Sequence, residues 1–98
     1  MAIDAIYPSL KDKTVLITGG GSGIGEALTR AFIAQSAKVG FLDYDKAASE
    51  TLAAELDSPD LHFEYCDLRD IDALQAAVKT VSAKLGPIRI LVNNAARD

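Results

Sequence analysis

The sequence predicts an α/β fold built on a parallel sheet, and three observations lead there. Short, β-branched apolar runs recur along the 98 residues. Stretches with apolar residues at helical spacing separate them. A glycine cluster sits where the first apolar run gives way to the first helical stretch. Strands alternating with helices of this length imply right-handed crossovers between parallel strands.

Residues 1–12 read as a lead-in, because Pro8 discourages early regular structure. Thr14-Val15-Leu16-Ile17-Thr18 is the first strand, apolar on both faces and therefore buried. Ile24, Ala27, Leu28, Ala31 and Phe32 then fall on one helix face. Residues 38–42 make the second strand. Gly40 within it weakens strand preference and marks a close approach of neighbouring backbone. Asp45 is placed to cap a second helix carrying Ala48, Leu52 and Leu56, with Ser58-Pro59 as its stop. Leu61-His62-Phe63-Glu64-Tyr65 alternates apolar and polar, as an edge strand does. A third helix opens near Asp70, aligns Ile71, Leu74, Val78, Val81 and Leu85, and stops at Gly86-Pro87. Residues 88–92 form a fourth strand, nearly continuous in apolar character.

The pattern is β-α-β-α-β-α-β, without an internal repeat or linker. The expected strand order is 3-2-1-4, which leaves the third and fourth strands at the two edges. The fourth nevertheless has the two-sided pattern of a buried strand, so the chain is expected to be truncated after strand 4, with a further strand to come.

Composition narrows the function. Residues 1–98 suit one domain, and 49% of them are apolar. The formal net charge is −4, with no basic run, which argues against nucleic acid and anionic membrane as partners. The first ten residues include Asp4 and no basic side chain. With no long apolar stretch following, neither a secretory signal nor a membrane span is expected. Cys66 is the only cysteine; it reads as a small buried residue in a reducing compartment, and the cytoplasm is the expected location. His62 stands alone too, and no spacing suggests a metal site.

The strongest motif is Thr18-Gly19-Gly20-Gly21-Ser22-Gly23-Ile24-Gly25. A phosphate needs backbone N–H donors at close range, and a Cβ would hold the chain away. The helix that follows offers unpaired N–H groups and the positive end of its dipole. Gly25, in the first helical turn, lets helix and strand pack closely. Many turns are glycine-rich, but this one lies between a strand and an amphipathic helix, with an acid at the end of the next strand. That acid, Asp43, can accept hydrogen bonds from adenosine ribose hydroxyls and repel a 2′-phosphate. The expected fold is thus a Rossmann-type parallel sheet, and the expected cofactor is NAD in preference to NADP. Asp67 follows the third strand, and Asn93 and Asn94 follow the fourth. Alone, they also suit a helix cap and a turn.

From about Leu10 to Ala96 the chain resembles the short-chain dehydrogenases/reductases. Thr18-Gly19-x-x-x-Gly23-x-Gly25 is similar to that family's glycine signature. Asp67-Leu68 is similar to its adenine-contacting pair, and Asn93-Asn94-Ala95-Ala96 resembles its Asn-Asn-Ala-Gly motif, from which Ala96 departs. The resemblance implies cofactor binding by Gly19, Gly21, Ser22, Gly23, Ile24, Gly25, Asp43, Asp67, Leu68, Asn93 and Ala95. The segment Ala5-Ile6-Tyr7-Pro8-Ser9-Leu10-Lys11, with Phe41-Leu42-Asp43 and the closing Asn93-Asn94-Ala95-Ala96-Arg97-Asp98, further resembles bacterial aldose 1-dehydrogenases of the xylose dehydrogenase type. The family's catalytic Ser, its Tyr-x-x-x-Lys pair and its helical Asn are expected beyond residue 98, as are its dimerising helices. No catalytic residue is therefore assigned.

The resemblance implies hydride transfer between nicotinamide and an alcohol or carbonyl substrate, an aldose by the finer resemblance, by a complete enzyme that is a homo-oligomer. The competing readings are a nucleotide-binding module without catalysis, and an interaction piece that pairs its open strand edge with another chain.

Overall fold

The computed structural model describes residues 8–21 and 23–94. A short 3-10 turn, Pro8–Leu10, leads into β1 (Thr14–Thr18), α1 (Gly23–Ala34), β2 (Lys38–Asp43) and α2 (Lys46–Leu56). Then come β3 (Leu61–Tyr65), α3 (Ile71–Leu85) and β4 (Ile88–Asn93). The strands form one parallel sheet in the order β3-β2-β1-β4, as the alternation predicts.

The helix ends follow local chemistry. Asp45 accepts the Ala48 N–H at 3.0 Å and Asp70 accepts the Ala73 N–H at 3.1 Å, so both carboxylates satisfy a donor in the first helical turn. Gly86 closes α3 at φ 99°, its N–H reaching Ser82 O at 2.9 Å. The α2 helix stops at Asp57, in the left-handed region at φ 42°, just ahead of Ser58-Pro59. Asp tolerates that region because its short polar side chain bonds locally.

Direction of travel decides which face each helix covers. α1 and α2 both cross from β1 toward β3 and lie on one face, while α3 crosses back and lies on the other. Val15, Ile17, Val39, Phe41 and Leu52 form the first core, with Leu28, Phe32 and Leu56 packed against it. Leu16, Leu42, Cys66, Ala77, Val81 and Leu85 form the second. Phe41 and Phe63 stack between β2 and β3 with ring centres 5.2 Å apart.

Four sequence expectations need correction. Ile24 and Ile71 were expected on the apolar faces of their helices, but both are exposed, at 70% and 61%. Each sits in the first turn of its helix, α1 for Ile24 and α3 for Ile71. Gly40 is approached by the Val81 side chain of α3 and not by backbone; a Cβ there would collide with it. β4, read as buried on both faces, alternates half-buried and exposed residues because it is a sheet edge among the described residues. A register shift beside Thr14/Val15 also turns β4 over. Ile88 therefore packs with α3, while Ile90 and Val92 pack with the other core.

Candidate functional site

The parallel sheet brings the segments after all four strands to one edge, where ligands of such folds bind. Gly19–Gly21 follow β1, Asp43 closes β2, Cys66–Arg69 follow β3, and Asn93–Asn94 end β4. Of the sequence-predicted residues, Ser22 and Ala95 lie outside the described residues, as does Ala96.

The glycine loop is locked from below by the protein itself. Gly19 and Gly23 hold φ of 71° and 60°, a region open to glycine at little cost. Gly19 N–H bonds Leu42 O at 2.6 Å, tying the loop to β2. A Cβ on Gly25 would overlap the Gly19 carbonyl oxygen and stand 2.7 Å from Asn94 Nδ2. Gly25 thus lets α1 start directly against the loop. Thr29 donates to Gly25 O at 2.9 Å and Gly20 O at 3.1 Å from one buried hydroxyl. Only at Gly23, among the loop glycines whose surroundings are described, would a Cβ meet nothing within 4 Å. That opening sits beside exposed Ile24, at the N-terminus of α1.

Asp43 is 6% exposed and anchored through both carboxylate oxygens. Oδ2 accepts the Gly21 N–H at 3.0 Å and Oδ1 accepts the Asp45 N–H at 2.9 Å. The carboxylate joins the glycine loop to the start of α2. Next to it, the fully buried Ser49 hydroxyl has no hydrogen-bond partner among the described residues. Leaving a buried hydroxyl unpaired costs about 1–3 kcal/mol.

Beyond β3, Asp67 does not cap α3, a role that falls to Asp70. Its Oδ1 takes the Arg69 backbone N–H and Nε, both at 3.0 Å, and its Oδ2 takes the second guanidinium arm at 2.9 Å. That carboxylate raises the Arg69 pKa, with nearby Tyr44 contributing. Leu68 packs half-buried against the α3-side core. Cys66 is buried, and burial pushes its thiol upward, with Asp67, Asp70 and Glu64 adding to the shift.

At the end of β4, Thr18 becomes the joint. Its hydroxyl accepts the Asn94 N–H at 3.0 Å and donates toward Asn93 Oδ1 at 3.1 Å. Asn94 Nδ2 then bonds Gly19 O at 3.1 Å. The asparagine pair thus ties β4 to the loop, a role no turn preference suggests. Sequence reasoning missed Thr29, Ser49 and Arg69. A threonine four residues after Gly25 was a weak signal for the first; Ser49, in an alanine-rich helix, offered none.

Tyr7 and Lys11 stand four residues apart in the sequence. Tyr7-Pro8-Ser9-Leu10-Lys11 has the spacing of a Tyr-x-x-x-Lys pair, which brings the two side chains together only on a helix. Here the segment from Pro8 is a 3-10 turn, and Lys11 is exposed ahead of β1, at the opposite end of the sheet from the loop. Tyr7 lies outside the described residues. Among the described residues no His/Cys/Asp/Glu group could hold a metal ion, and no helix is long and apolar enough to cross a membrane.

A family model described as short chain dehydrogenase matches residues 13–98. The chain belongs to the short chain dehydrogenase family. This is an oxidoreductase family, and the relatives have the same stamp. The chain is 49% identical over 96 residues to a protein of Rhizobium meliloti named probable galactose dehydrogenase, covering 94% of this chain and 37% of the relative. It is 48% identical to the D-xylose 1-dehydrogenase of Caulobacter vibrioides, covering 96% and 37%. The resemblance to the aldose dehydrogenase type, read from residues 5–11, 41–43 and 93–98, agrees with both. Among solved structures, the 3-ketoacyl-(acyl-carrier-protein) reductase of Brucella melitensis complexed with NADH superposes with a TM-score of 0.79 at 36% identity. That match covers 84% of this chain and 34% of the reductase. The chain thus spans little more than a third of the length of the curated relatives it matches.

Proposed function

We propose that residues 1–98 are the NAD-binding domain of a short-chain oxidoreductase that interconverts an alcohol and a carbonyl, with an aldose as substrate. The observation that carries this reading is Asp43: a buried carboxylate fixed at the carboxyl end of β2 and bonded to the glycine loop. An ionised carboxylate has about four acceptor sites, and the two backbone donors leave room for ribose hydroxyls. The same charge opposes a 2′-phosphate, and residues 19–25 supply no cation to offset it. The cradle also fits a pyrophosphate, since the N-terminus of α1 opens at Gly23 onto free space.

In this reading Gly19, Gly21, Ser22, Gly23, Ile24 and Gly25 hold the pyrophosphate side. Asp43 selects the unmodified ribose. Asp67 and Leu68 border the adenine, and Asn93 and Ala95 flank the ribose. When bound, NAD supplies the carbon that accepts or returns hydride. These residues orient it and exclude water, and the proton-transferring groups of the full-length protein lie outside residues 1–98. The aldose substrate rests on the galactose and xylose dehydrogenase relatives. A cytoplasmic, homo-oligomeric enzyme completes the proposal.

Calorimetric titration of the full-length protein with NADH and NADPH tests the cofactor assignment. Asp43→Ala is expected to weaken NADH by about tenfold or more, the scale of a lost hydrogen bond to a charged group. NADPH should weaken less or tighten. Equal losses for both would remove Asp43 from its role at the ribose.

A further inference from the structure

Three groups meet beneath the glycine loop: Gly21, the Asp43 carboxylate and the Ser49 hydroxyl. A side chain on Gly21 would overlap Ser49 Oγ, and the same position lies 3.0 Å from Asp43 Oδ2. The Gly21 N–H donates to that oxygen, while the wholly buried Ser49 hydroxyl has no partner among the described residues.

This isolation is not imposed by the helix. Thr29, Thr51 and Thr80 each send their hydroxyl back to the carbonyl four residues earlier, at 2.9, 2.9 and 3.1 Å. The equivalent carbonyl for Ser49 belongs to Asp45 and accepts only the Ser49 N–H, at 3.1 Å. Ser49 Oγ instead stands beside the loop and the carboxylate. Buried hydroxyls without a partner are rare enough in folded proteins to need a reason.

We propose that Ser49 is a positioning residue for Asp43. Its hydroxyl is the reserve donor that takes Asp43 Oδ2 when dinucleotide binding draws the Gly21 N–H away. The idea rests on the assignment of Asp43 to the ribose. A buried carboxylate that loses a donor without replacement is destabilised and free to turn. A serine hydrogen rotates about its C–O bond to whichever acceptor comes near. Ser49 therefore keeps the carboxylate aimed while the loop changes partners.

The test is a double-mutant cycle on the full-length protein, using Ser49→Ala, Asp43→Ala and both together. NADH affinity is read by calorimetry and nucleotide-free stability by thermal melting. Ser49→Ala should weaken NADH about tenfold, equivalent to about 1.4 kcal/mol. Its nucleotide-free melting temperature should be unchanged or higher, since alanine deletes an unpaired hydroxyl. In the Asp43→Ala background, Ser49→Ala should change affinity no further. Parental affinity in Ser49→Ala, a fall in affinity matched by a fall in melting temperature, or additive losses would each overturn the proposal. If Asp43→Ala weakens NADH and Ser49→Ala does not, only the role of Ser49 falls. If the parent binds no NADH, or binds it as well without Asp43, the cofactor assignment falls and takes this proposal with it.

Discussion

At the scale of single residues, the glycine loop is shaped as much by the protein beneath it as by any ligand above it. A Cβ at Gly20 or Gly21 would collide with Phe41 or Ser49, so these glycines are demanded by packing. Among the loop glycines whose surroundings are described, only Gly23 faces open space. Cys66 shows the same dominance of neighbours. Burial raises its thiol pKa above the ordinary 9.0 and three carboxylates add to the effect, so the folded chain keeps a proton that the unfolded chain releases. Stability should therefore fall as pH rises above about 9. Urea midpoints measured between about pH 8 and 10 should drop more steeply for the parent than for Cys66→Ala. Equal slopes would show that another group controls the alkaline limit.

At the scale of elements, the helix ends are the features most directly written in residue type. Asp45 and Asp70 cap where their side chains predict, and Gly86 closes α3. Asp70→Ala should lower the unfolding free energy by about 1 kcal/mol, and Asp70→Asn by less, because asparagine also caps. Chemical denaturation reads this directly, and a full 1 kcal/mol loss with asparagine would assign the effect to charge. The third helix also contributes Val81, whose side chain fills the space that Gly40 leaves on β2. Periodicity places Val81 on the buried stripe; no local signal pairs it with Gly40, 41 residues away in the chain.

For the whole molecule, the β4 edge, open among the described residues, is the feature that matters most. Leu91 is 63% exposed there. With Leu16, Leu74, Val78 and Ile88 it lines a groove of about 370 Å³ between β4 and α3. Among the described residues the site edge carries backbone donors and one buried acid, Asp43. On the proposed reading, a polypeptide limited to residues 1–98 should form no NADH from D-xylose or D-galactose, and the full-length protein should. Sugar-dependent absorbance from the short polypeptide would place catalytic groups within these residues.

By itself the sequence determined the order of elements, the strand order and the residues that reach the site edge. These follow from hydrophobic period, turn chemistry and the handedness of crossovers, all of which act over a few residues or one βαβ unit. The motif Thr18–Gly25, Asp43 and the asparagine pair were legible for the same reason. Tertiary structure alone decided what those residues touch. Thr18 became the joint between β1 and β4, Asn94 reached back to Gly19, and Asp43 bonded the loop. It also turned β4 over at its register shift, exposed Ile24 and Ile71, and buried Ser49 without a partner. Each of these depends on residues brought together from distant parts of the chain, and neither period nor propensity carries information about such meetings.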